Sequence, residues 1–248
     1  MKRLQIPEAE KRLVLIAALK AIGPATDGQL MDFLDACQLM GYVDIQLNLS
    51  RLAEEHQVET VRHPLGPLYQ PTEEGLFVLA SYRGRVPRSR LDILERNAPA
   101  YADRFRLERQ APLTTRMTAD HRLILEMRLM EEGARELLLI QLTLAGSAAG
   151  AALQERWQQA AAGVYAGILR LLSTGSAGPD DPLPAGAETA EAPGEGRLLT
   201  LSLETPPPAL RICLPFASER LARDCAAAWP AKAQEIKRLV TGAVTGPA

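Results

Sequence analysis

The chain has 248 residues, 47% of them apolar and only 4% aromatic, with a formal net charge of −2. That length suits one large or two small domains, with cores of Leu, Ala, Ile and Val, and the abundance of Leu, Ala and Arg favours helix. No run of about 20 apolar residues is free of charge, so no transmembrane span is expected, and the charged start through Glu8, Glu10, Lys11 and Arg12 does not read as a secretory signal.

Pro7 suits the first turn of a helix, whose stripe is Leu13, Leu15, Ile16, Ala17, Leu19 and Ile22 and which Gly23-Pro24 stops. Thr26-Asp27-Gly28-Gln29 has the pattern of a capping box, followed by Leu30, Phe33, Leu34 and Cys37 at helical spacing up to Gly41. Asp44 is expected to cap a third helix with a core face of Ile45, Leu49 and Leu52, fading by His56-Gln57. Val58 to Arg62 has strand composition, the prolines of His63-Pro64-Leu65-Gly66-Pro67 force a turn, and Leu68-Tyr69-Gln70 returns. Thr72 caps the next helix, with Glu73 and Glu74 placed well against its N-terminal dipole. Three helices with a short third, then a two-stranded ribbon, is the order of a winged helix-turn-helix domain, assigned to residues 1–82.

Residues 83–112 read as a basic connecting helix: Pro87 breaks the preceding one, and a new helix runs from Ser89 to about Arg109, bent near Pro99. Beyond it, Leu123, Leu125, Met127 and Leu129 alternate as in a half-buried strand, and Leu138, Ile140, Leu142 and Leu144 repeat this after a turn at Glu131-Glu132-Gly133. A helix follows with Leu153, Trp157, Ala161, Val164, Ile168 and Leu172 on one stripe. At a shift of 72 residues the pattern recurs: Leu199 and Leu201 fall on Met127 and Leu129, Leu210, Ile212 and Leu214 on Leu138, Ile140 and Leu142, and Trp229 on Trp157. This is an internal duplication of a β-β-α unit, over 113–173 and 197–244, able to pack as an intramolecular pseudo-dimer. Residues 174–196, with Asp180, Asp181, Glu188, Glu191 and Glu195, read as a flexible acidic linker. The expected fold class is α+β: an N-terminal winged helix-turn-helix, then a helix and two β-β-α units in one antiparallel sheet with helices on one face.

Several of these patterns, in this order, resemble a bacterial domain-of-unknown-function family of short winged-helix proteins regarded as transcriptional regulators and typical of clostridia-like Gram-positive bacteria. They are Tyr42-Val43-Asp44 leading into Leu49-Ser50-Arg51-Leu52-Ala53-Glu54, the junction Tyr69-Gln70-Pro71-Thr72-Glu73-Glu74-Gly75, the element Arg85-Val86-Pro87, and the strand-strand-helix that bears a Trp. The resemblance covers residues 4–173, and the last unit matches the same ending a second time. The family usually has one closing unit, and Pro71 stands where a β-branched residue is common. The resemblance implies the fold more than the function.

On the third helix, the face away from Ile45, Leu49 and Leu52 offers Gln46, Asn48, Ser50 and Arg51, whose amides and guanidinium suit base edges. Arg62 and His63 at the ribbon tip, and Arg83, Arg85, Arg88 and Arg90 beyond it, suit phosphates. Against this, residues 1–82 hold seven Lys or Arg and eleven Asp or Glu, a net of −4. The expectation is a transcriptional regulator whose winged helix binds double-stranded DNA and whose duplicated half dimerises, binds a small effector, or both. The alternative is a protein-interaction module that uses the winged helix as a scaffold. No phosphate-binding loop, dinucleotide fingerprint or serine elbow is present, and three scattered histidines make no metal site. Neither an enzyme activity, a cofactor nor a membrane partner is expected. Cys37, Cys213 and Cys225 read as reduced core residues of a cytoplasmic protein.

Overall fold

The computed structural model describes residues 6–131, 135–145, 150–178, 181–192, 196–204 and 209–245. Lys2, Arg3, the turn at Glu132-Gly133, the segment Gly146 to Ala149, Asp180 and Glu195 lie outside the described residues. Among those described, the chain forms seven α-helices and two sheets, a mixed α+β fold with helices first and most strands later. It divides into two compact units, Met1–Arg109 and Gln110–Ala248. No helix of the described residues is long and apolar enough to cross a membrane.

The first unit contains α1 (Glu8–Ile22), α2 (Asp27–Ala36), α3 (Tyr42–Glu54), the antiparallel ribbon β1 (Val58–Val61) and β2 (Leu68–Pro71), α4 (Glu73–Tyr82), a single 3-10 turn at Arg83–Arg85, and α5 (Arg88–Gln110). The Thr26 hydroxyl accepts the Gln29 N–H at 3.1 Å while the Gln29 side chain accepts the Thr26 N–H at 3.0 Å, closing the capping box. Helix α2 stops at Ala36, before Gly41, and Gly41 is the N-cap of α3, so Asp44 falls inside the first turn and caps nothing. Leu39 and Met40 are buried in the connection and hold the two helices on the common core of Leu15, Ile16, Leu19, Phe33, Ile45, Leu49 and Leu52. The ribbon is anchored by a two-bond bridge between Ala25 and Tyr69, with Tyr69 N–H on Ala25 O at 2.8 Å. Thr72 caps α4 through the Gly75 N–H at 3.1 Å and donates its own hydroxyl to His56 O at 2.7 Å. Gly75 is forced there: a Cβ at this position would lie 2.0 Å from Gln57 O.

In the second unit, β3 (Leu113–Met117), β4 (Arg122–Met130) and β5 (Glu136–Ala145) lead into α6 (Gly150–Leu172), and β6 (Ala187–Glu191), β7 (Arg197–Leu203) and β8 (Ala209–Phe216) lead into α7 (Glu219–Thr245). All six strands form one antiparallel sheet in the order β3-β4-β5-β8-β7-β6. Each repeat is therefore β-β-β-α, with a first strand that the two-strand expectation lacked. Strand β6 lies inside the segment expected to be a flexible linker. A turn in which Ala187 N–H bonds Pro184 O at 3.0 Å, with Gly186 at φ 80°, launches it.

The sheet pairing is symmetric about its centre. Ile140 pairs with Ile212, its counterpart at 72 residues, while Leu139 pairs with Cys213 and Gln141 with Arg211. Strands β5 and β8 thus meet as two copies related by a two-fold axis. The ungapped 72-residue match does not extend to the earlier strands. Leu113 pairs with Met127 and Ala187 with Leu201, and Leu125 pairs with Leu142 as Leu199 does with Leu214. Leu199 and Leu201 therefore take the places of Leu125 and Met127, a shift of 74. The two residues are lost in the second hairpin, and because strand side chains alternate with period two, every apolar residue keeps its face. One core holds Leu125, Met127, Ile140, Leu199, Leu201, Ile212, Trp157 and Trp229 between the sheet and the two helices.

Candidate nucleic-acid interface

Helix α3 buries Ile45, Asn48, Leu49 and Leu52, the i, i+3, i+4, i+7 spacing of a stripe facing inward. Asn48 belongs to that stripe and is fully buried, which corrects its assignment to the outer face. Its Nδ2 donates to the Asp44 carbonyl at 2.8 Å and to Glu8 Oε1 at 3.3 Å, and its buried Oδ1 has no partner among the described residues. Gln46 is half-buried, and its amide donates to Asp27 Oδ2 on α2 at 2.9 Å. Both amides expected to read bases thus donate to partners within the unit.

What α3 presents outward is different. Val43 is 76% exposed and Leu47 46% exposed, beside exposed Tyr42, Ser50, Arg51 and Glu54. These apolar groups lie opposite the buried stripe, at i and i+4, a signal present in the spacing but unused in the sequence reading. Arg51 keeps its exposure, with Nη1 3.5 Å from Glu8 Oε1.

Charged groups fix α3 to α1. Lys11 donates to Asp44 Oδ1 at 2.7 Å and to Glu8 Oε2 at 2.9 Å. The hydrogen bond that Lys11 donates to Asp44, seconded by the one to Glu8, raises the Lys11 pKa, and the hydrogen bond from Lys11 lowers that of Glu8. Arg12 pairs with Glu55 at the other end of α3. The acidic residues of this region thus largely serve helix packing.

On the ribbon, Arg62 is exposed. His63 is not placed as a phosphate contact. Its Nδ1 accepts the Leu65 N–H at 3.2 Å, so the ring proton sits on Nε2, which donates to the Arg109 carbonyl at 3.2 Å. Arg109 itself donates to Pro24 O, and its burial lowers its pKa. The end of α5 is therefore stitched to both the ribbon and the α1–α2 connection.

The basic segment divides. Arg90 pairs with Glu10 on α1, and both side chains are nearly buried, which corrects Arg90 as a phosphate contact. Arg83 bonds Glu95 at 2.9 Å but remains exposed, Arg85 lies 4.9 Å over the Tyr82 ring, and Arg88 is exposed with Asp92 4.0 Å away. With the arginines of α5 included, residues 1–109 carry fifteen basic and fifteen acidic side chains, so the unit is neutral. A cavity of about 200 Å³ between α1, α4 and α5, floored by Leu79, Leu91 and Leu94 with Lys20 at its wall, is smaller than the roughly 300–1,000 Å³ typical of small-molecule sites. Among the described residues no three His, Cys, Asp or Glu side chains cluster as metal ligands.

In comparison with known proteins, a family described as a domain of unknown function (DUF4364) matches residues 11–172. The match ends at the last residue of α6, and so contains one of the two repeats. No curated protein and no solved structure matches.

Proposed function

We propose, from the premise that the chain belongs to the DUF4364 domain-of-unknown-function family, that its first unit is a winged helix-turn-helix that binds double-stranded DNA, in a transcriptional regulator. The observation that carries this is the outward arc of α3. The helix is held by its buried stripe against α1 and α2, its far side is exposed at Val43, Leu47, Ser50 and Arg51, and a two-stranded ribbon follows at once. An exposed helix of this size suits a major groove, with the ribbon beside it for the backbone. Its chemistry differs from the amide readout expected from sequence. Val43 and Leu47 suit the C5-methyl group of thymine, Arg51 suits guanine O6 and N7, and Ser50 either kind of base. Arg62, Arg83, Arg85 and Arg88 supply phosphate contacts.

A second reading has its own support. Tyr42, Val43 and Leu47 form an exposed apolar group on a neutral unit, which also suits a protein partner. One experiment separates the two. The purified chain is incubated with genomic DNA fragments, and the retained fragments are sequenced at low and moderate salt. The DNA reading expects an enriched motif, and expects Arg51→Ala to weaken binding to it by about 1–3 kcal/mol. No retention by the wild type at low salt sinks it in favour of the protein-interaction module.

A further inference from the structure

We infer that the surface by which one β-β-β-α repeat would pair with a second copy is occupied in this chain by its own second repeat, so that the protein is a monomer with a single α3 per two-fold platform. A repeat ending at Leu172 cannot stand comfortably alone. Strand β5 spans Glu136–Ala145, ten residues with Leu138, Ile140 and Leu142 fully buried on one face. A bare edge of that length templates pairing with another chain. The family match stops there, whereas this chain continues into β8, which covers that edge, and α7, which packs on α6.

The residues at the axis say which kind of pairing this is. In a two-fold interface between identical chains, a residue on the axis meets its own copy. In the sheet that condition holds, since Ile140 meets Ile212. Between the helices, Gly167 meets its 72-residue counterpart Leu239: a Cβ at 167 would lie 2.8 Å from Leu239 Cδ2. Two copies of one sequence would set Gly against Gly or Leu against Leu. Gly against Leu is available only where both repeats are on one chain and have diverged to fit each other. The edges that remain, β3 and β6, are five residues each and carry Arg116 on one and Glu188 and Glu191 on the other. Short edges, each with charge of a single sign, discourage a further copy from pairing like edge with like. The single-α3 consequence rests on the DNA-binding proposal, and the pairing does not.

Two measurements decide. Sedimentation equilibrium of the full chain across micromolar concentrations is expected to give 27.0 kDa throughout, and a mass of twice that value overturns the inference. The second is a double-mutant cycle followed by tryptophan fluorescence. Leu239→Gly alone should lower the melting temperature by a few degrees. Adding Gly167→Leu to it should recover most of the loss, because the same two side chains then face each other with their places exchanged. Gly167→Leu alone, which sets two leucines face to face, should bring no such gain. An effect of Gly167→Leu that is the same in both backgrounds overturns the axis assignment. Neither readout involves DNA, so failure of the DNA proposal leaves both intact.

Discussion

In the first unit, helices are tied by charged pairs that cross the gaps between them: Lys11 to Asp44, Arg12 to Glu55, Arg90 to Glu10 and Arg104 to Asp32. In the second unit, two helices meet the sheet through Leu, Ile, Val, Ala and Trp, and the same plan is used twice. Repetition lets an apolar pattern define a fold with few polar instructions, since each half is the other's partner. A unit built once needs side chains that specify each helix against each neighbour. The two tryptophans, Trp157 and Trp229, both lie in the second core, so their fluorescence reports that unit while circular dichroism reports both.

The largest expected effect tests the equivalence of the repeats. Trp157 and Trp229 are both buried, and replacing either by Ala should cost about 3–5 kcal/mol in denaturant unfolding, with the remaining tryptophan as reporter. At the first site, Trp157 Nε1 donates to the Arg128 carbonyl at 3.0 Å. Trp157→Phe should therefore cost about 1 kcal/mol beyond the loss of ring area. A Trp229 substitution that leaves the unfolding midpoint unmoved would break the symmetry of the two cores.

The next effect tests whether the charged ties matter to the first unit alone. Arg90 and Glu10 are 13% and 9% exposed, and removing one partner of a nearly buried pair strands the other charge. Arg90→Ala should cost about 3 kcal/mol in the circular-dichroism transition, with no movement of the tryptophan transition. Equal shifts in both signals would mean the two units unfold as one.

This contrast also explains what was legible in the sequence. The apolar stripes of α1, α2, α6 and α7, the capping box at Thr26 and the Thr72 cap were readable because period and cap chemistry are local. The duplication was readable because Trp157 and Trp229 mark one register, although a match on apolar residues alone hid the change from 74 to 72 in the hairpins. Strands β3 and β6 escaped because they are short and have little apolar character, as Ala187-Glu188-Thr189-Ala190-Glu191 illustrates. The candidate site was least legible. Arg90, His63 and Gln46 look like free polar groups in a sequence, and their partners Glu10, Arg109 and Asp27 are distant along the chain. Asn48 was readable: it lies three residues after Ile45 and four before Leu52, on the buried side.

The smallest effect concerns pH, and it sharpens the contrast between the units. Glu8 has its pKa held below the ordinary 4.5, chiefly by the hydrogen bond from Lys11, so its contribution is present above that value and is lost as pH falls beneath it. Lys11 has its pKa raised above 10.5, chiefly by Asp44, so its contribution is complete below 10.5 and is lost as pH climbs past the raised value. The first unit should therefore lose stability at both extremes through one cluster, measurable as circular-dichroism melting against pH. Lys11 is the shared partner, so Lys11→Met should flatten the acid limb as well as the alkaline one. A variant that keeps the full acid limb would show that Glu8 draws its shift from elsewhere, with Asn48 and Arg51 the remaining donors within reach. The tryptophan transition should ignore the substitution throughout, because no member of this cluster belongs to the duplicated core.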